Sequence, residues 1–126
     1  MKRIAFGILC LFMLSAQTWI GGGPPPIGPE CDITVRLGSA CCGRDWKTEK
    51  AINAFIANEP KIVDKTETPW GREGEIDLCL KTKSNSDTQE MFDHIKALIP
   101  SYSEYPTQIF SNRGAHFSSQ WPKNNN

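Results

Sequence analysis

Two cysteines stand side by side at Cys41 and Cys42, with Arg44 two positions on. Adjacent thiols beside a cation suggest thiol–disulfide exchange, because the thiolate is the attacking species and positive charge favours it. The pair falls between a strand-like run and a helix-like run, and a helix N-terminus would favour the thiolate further. The spacing is C-C and not the C-x-x-C of thioredoxin-type sites. In an oxidising compartment the plainer role is structural bracing.

Other chemistry is sparse. Glu73, Glu75 and Asp77 alternate along one run. Paired carboxylates can act as acid and base, but they need a cleft between them. Without one they are a solvated strand face, with Arg36 neutralising them from a neighbouring strand. His94 and His116 have no second histidine or carboxylate at metal-ligand spacing, so no metal is expected. No serine sits in a G-x-S-x-G context. No catalytic residue and no cofactor are assigned.

Binding residues are easier to nominate. Pro69-Trp70-Gly71-Arg72-Glu73-Gly74 is turn chemistry, which places Trp70 and Arg72 at a hairpin tip. Trp and Arg are the types most enriched at binding hot spots, and loop tips carry function more often than cores do. The alternative is that Trp70 folds back over the core. Phe117 and Trp121 near the C-terminus are a second aromatic candidate.

These residues must be positioned by a small number of elements. Asp32 to Leu37 alternates apolar and polar residues, as a half-buried strand does. Asp45 is a good N-cap for an amphipathic helix over Trp46 to Asn58, which carries Ala51, Ile52, Phe55 and Ile56 and stops at Pro60. Lys61 to Thr68 reads as a polar edge strand. Glu75 to Thr82 alternates with Ile76, Leu78 and Leu80 on one face. A second helix follows the polar turn Ser84-Asn85-Ser86, with Asp87/Glu90 and Ser86/Gln89 as capping-box pairs. Its stripe is Met91, Phe92, Ile95, Leu98 and Ile99, and Pro100 ends it. Thr107 to Ser111 is a short last strand. The order strand, helix, strand, strand, helix, strand predicts an α+β, ferredoxin-like split βαβ fold. It is a four-stranded antiparallel sheet with both helices on one face, and the first and third strands are expected as parallel neighbours.

The N-terminus sets the compartment. Met1-Lys2-Arg3 is basic, Ile4 to Leu14 is an apolar run of eleven residues, and Ser15-Ala16 is a small-residue cleavage site. A membrane span needs about twenty residues. Residues 1–16 therefore read as a signal peptide, and the protein as exported, periplasmic or secreted. Residues 17–30 hold four glycines and four prolines and read as a linker, 31–112 as a single domain, and 113–126 as a polar tail. Lys2 and Arg3 leave with the signal, so 12 basic and 14 acidic residues remain, a formal charge of −2. That argues against a nucleic-acid partner, which needs a basic face or stripe. Membrane contact is limited to the transient signal.

Cys10 also leaves, and Cys31, Cys41, Cys42 and Cys79 remain for two disulfides. Cys31 and Cys41 flank a strand of about 20 Å, whereas a disulfide needs Cα atoms within roughly 7 Å. Strict strand geometry thus leaves Cys31–Cys79 with Cys41–Cys42. A shorter strand with a folded-back start restores Cys31–Cys41 or Cys31–Cys42. The whole inventory points to a small, exported, disulfide-stabilised, non-enzymatic protein that binds a protein partner, in the manner of an inhibitor or an immunity-type protein. The alternative is a thiol–disulfide redox protein using Cys41 and Cys42.

Overall fold

The computed structural model describes residues 23–123. The signal peptide read at 1–16 and the first part of the linker, residues 17–22, lie outside the described residues. Seven elements follow in order: β1 (Ile33–Leu37), α1 (Trp46–Ala57), β2 (Ile62–Trp70), β3 (Glu75–Thr82), α2 (Asn85–Leu98), β4 (Thr107–Ser111) and β5 (His116–Ser118). The fold is α+β, with one antiparallel sheet in the order β2-β3-β1-β4-β5.

Two expectations are corrected. The sheet has five strands and not four, because His116–Ser118 folds back on β4. A tight turn makes this return: Ser111 N donates to Ala115 O at 2.8 Å, and Ser111 Oγ accepts from the N–H groups of Arg113 and Ala115. Three residues are too few for strand alternation to show in the sequence. The second correction concerns direction. β1 and β3 are antiparallel neighbours, with Val35 opposite Leu78 and Arg36 opposite Asp77. Helix α1 carries the chain from β1 to β2 on the far side of β3, and the turn at 71–74 then reverses it. The strand that returns between them must therefore run opposite to both.

Alternation decides what each face does. Ile33, Val35 and Leu37 of β1, Ile76, Leu78 and Leu80 of β3, and Ile109 of β4 point to one side. There they meet Ile52 of α1 and Met91, Phe92 and Ile95 of α2, so both helices pack on the same face. Ile52 is fully buried. Truncating such a side chain to alanine costs about 2–5 kcal/mol.

The helices start where their caps dictate. Asp45 accepts from Thr48 N at 3.1 Å and from Thr48 Oγ1 at 2.7 Å. α2 begins earlier than its capping-box pairs suggest, because Ser84 is the N-cap: its hydroxyl accepts from Asp87 N and donates to Asp87 Oδ2 at 2.7 Å.

Candidate functional site

The face of the sheet away from the helices holds Glu75, Asp77 and Trp70, whereas Glu73 lies exposed in the turn between β2 and β3. It is not the solvated face the alternation suggests. Asp77 and Glu75 are buried, and so are Thr34 and Arg36. Arg36 and Asp77 lie opposite one another across β1 and β3, and the guanidinium forks onto the carboxylate at 2.9 and 2.7 Å. Trp70 closes the arrangement. It is the last residue of β2 and lies on this face, where its indole N–H donates to Asp77 Oδ1 at 3.0 Å. The Arg36 guanidinium sits 5.7 Å from the Trp70 ring and 5.9 Å from the Phe110 ring, within cation–π range.

His116 stacks on Phe110 with centroids 4.6 Å apart. The linker also reaches this face, since Arg36 Nη2 donates to the carbonyl of Pro25. Just before β1, Cys31 is bonded to Cys79 of β3, which anchors the linker beside the same face. Among the described residues no buried side-chain nitrogen or oxygen lacks a partner. The buried polar atoms of this face are therefore paired within the protein.

Trp70 and Arg72 are thus separated by the fold. Trp70 is partly buried on the polar face, whereas Arg72 is exposed in the turn between β2 and β3. Gly71 and Gly74 build that turn with φ of +63° and +83°. A Cβ at Gly71 would stand 2.4 Å from the Glu75 carboxylate, which is held in place by accepting from Glu73 N.

The turn belongs to a continuous rim of loops at one end of the sheet. Leu37 ends β1 opposite Ile76 at the start of β3 and Thr107 at the start of β4. At that end lie the loop 38–45, the turn 71–74, the loop 99–106 and the segment 119–123. Hydrogen bonds link them in series. Arg44 Nη1 donates to Gly74 O at 2.6 Å, and Gly38 N donates to Pro106 O at 2.8 Å. Ser103 N donates to Gln120 O, and Gln120 N donates to Ser101 O, each at 2.8 Å. Gly38 is required here: a Cβ would meet Pro106 O at 2.9 Å.

Five of the seven large apolar side chains exposed among the described residues sit at this end: Trp46, Leu98, Tyr102, Tyr105 and Trp121. Trp46 is 65% and Trp121 61% exposed, which are high values for tryptophan. Arg72 is exposed in the same rim. Trp121 was legible as a candidate. Trp46, Tyr102 and Tyr105 were not, because their convergence depends on which loops share an end of the sheet. Phe117 behaves otherwise: it packs against the core, with Lys96 Nζ 5.4 Å from its ring.

Cys41 and Cys42 are exposed in the rim and bonded to each other. The two groups that could activate a thiolate there are committed elsewhere. Arg44 donates to both Glu49 carboxylate oxygens at 2.6 and 3.0 Å, and this pairing raises its pKa above the ordinary arginine value. The N-terminus of α1 is capped by Asp45. His94 is exposed and stacks on Phe55. Among the described residues no cluster of three or more His, Cys, Asp or Glu could hold a metal ion, and no helix is long and apolar enough to cross a membrane.

No protein-family model, curated protein or solved structure matches this chain.

Proposed function

We propose that this is a small exported, disulfide-stabilised, non-enzymatic binding protein that engages a protein partner through the loop rim. The observation that carries this reading is the gathering of Trp46, Tyr102, Tyr105, Trp121 and Arg72 at one end of the sheet. Tyr, Trp and Arg are the residues that dominate binding energy at protein interfaces. Exposed apolar side chains grouped on one surface mark protein interaction sites. The loops are braced by one another through Arg44 and Gly38, so little ordering would accompany binding. An inhibitor or immunity-type role fits the small size and the rigid presentation.

Export rests on the basic start, the apolar run and the small residues at 15–16. Two disulfides accord with an oxidising compartment. We assign the first four strands, in the order β2-β3-β1-β4 with both helices on one face, to the ferredoxin-like class, with β5 as an addition at the β4 edge.

Affinity capture from the exported fraction of source cells tests the reading. Wild-type bait is compared with an Arg72→Ala, Trp121→Ala variant and with Val63→Ser at the other end of the sheet. The rim variant is expected to lose its specific band while its unfolding midpoint is unchanged, and the Val63 variant is expected to keep the band. Equal capture by all three baits removes the rim from the account.

A further inference from the structure

The two disulfides differ in what they can do for stability. Cys31–Cys79 joins positions 48 apart, so it removes much freedom from the unfolded chain. Cys41–Cys42 joins neighbours whose Cα atoms are 3.7 Å apart. One peptide bond holds them at that distance in the folded and unfolded chain alike. Bonding them removes almost none of the unfolded chain's freedom, so bracing does not account for this bond.

Their surroundings differ as well. Cys31 and Cys79 are half-buried, whereas Cys41 and Cys42 are both exposed in the rim. An exposed disulfide is open to attack by thiols, and such bonds are the labile ones. The loop around the pair has other ties. Ser39 Oγ accepts from Gly43 N at 3.1 Å, Gly38 is bonded to Pro106, and Arg44 is bonded to Glu49 and Gly74. None of these contacts uses a sulfur atom, so the loop keeps its anchors when the bond opens.

We propose that Cys41–Cys42 is a reversible thiol–disulfide exchange site whose substrates are dithiols, small or carried by a protein. A thiolate of the dithiol attacks one sulfur of the pair. The Cys41–Cys42 bond breaks, a mixed disulfide forms, and the departing cysteine takes a proton. The second thiolate of the dithiol then attacks the mixed disulfide and leaves as a cyclic disulfide, and the other cysteine takes a proton. The pair gains two electrons and two protons, and the dithiol loses them. The reverse sequence, with a disulfide as oxidant, restores the bond. This site stands independently of the binding reading, since no rim aromatic takes part in the exchange.

The test is a redox titration of the protein in mixtures of reduced and oxidised dithiothreitol, quenched with acid, alkylated and digested with trypsin. Cleavage after Arg36 and Arg44 puts both cysteines in one peptide, Leu37–Arg44. That peptide is expected to gain two alkyl groups in mixtures where Cys31–Cys79 stays closed, and to lose them again in oxidised dithiothreitol. The unfolding midpoint of the half-reduced protein is expected within about 2 °C of the oxidised one. A Cys41→Ser, Cys42→Ser variant should match it and should no longer consume dithiol in that range. The proposal is overturned if both disulfides open together, if Cys41 and Cys42 are alkylated in the fully oxidised protein, or if the half-reduced protein unfolds.

Discussion

Arg36 and Asp77 place two opposite charges in a buried part of the sheet face. Removing one member of a buried pair strands the other, at a cost of about 3–5 kcal/mol. Asp77→Ala is expected to fall in that range, because it leaves the Arg36 guanidinium and the Trp70 N–H without their shared acceptor. Urea denaturation measures this directly. An Arg36→Met, Asp77→Leu double variant should lose much less, since it leaves no buried charge unpaired. The pairing itself is legible in the sequence, since Arg36 and the acidic run alternate on strands that can lie side by side. Trp70 was not, because a residue at the end of a hairpin faces one side or the other according to register, and Trp70 lies opposite Glu75 on the polar side. The Asp45 cap is legible from its type and its place before an apolar helical stripe.

Elements are set by their ends. Ser84 caps α2, so Ser84→Ala is expected to cost about 1 kcal/mol by thermal or chemical melting. Gly71 turns β2 into β3 with positive φ and faces the Glu75 carboxylate. Gly71→Ala should therefore destabilise by about 1 kcal/mol or more, read from the denaturant midpoint. At the start of β2, Lys61 Nζ donates to Glu90 of α2 at 2.6 Å, which raises the Lys61 pKa above its ordinary 10.5. A pKa raised on folding adds stability below the unfolded value, and that stability is lost as pH rises through the folded value. Wild type and Lys61→Met should therefore differ at neutral pH, and the difference should begin to shrink only as pH rises past 10.5. Element types were plain in the sequence, since both helices carry apolar stripes and β1 and β3 alternate. β5 was hidden by its three residues.

For the molecule as a whole, Cys31–Cys79 ties the chain ahead of β1 to β3, an inner strand of the sheet. Closing a loop of that length is worth about 4 kcal/mol in the chain-entropy account. Cys31→Ala, Cys79→Ala should lower the unfolding midpoint strongly, while substitution at Cys41 and Cys42 should not. Strand length against disulfide reach allowed this pairing from the sequence, although the relative direction of β1 and β3 did not follow from it. The rim was the least legible feature, because Trp46, Tyr102 and Trp121 belong to three separate segments that only the topology brings to one end. Site-specific photo-crosslinking in source cells tests that rim most directly, with benzoylphenylalanine placed at Trp121 in one strain and at Val63 in another. The account predicts a discrete protein adduct from position 121 and none from position 63. An adduct from position 63 alone, or from neither position, would contradict it.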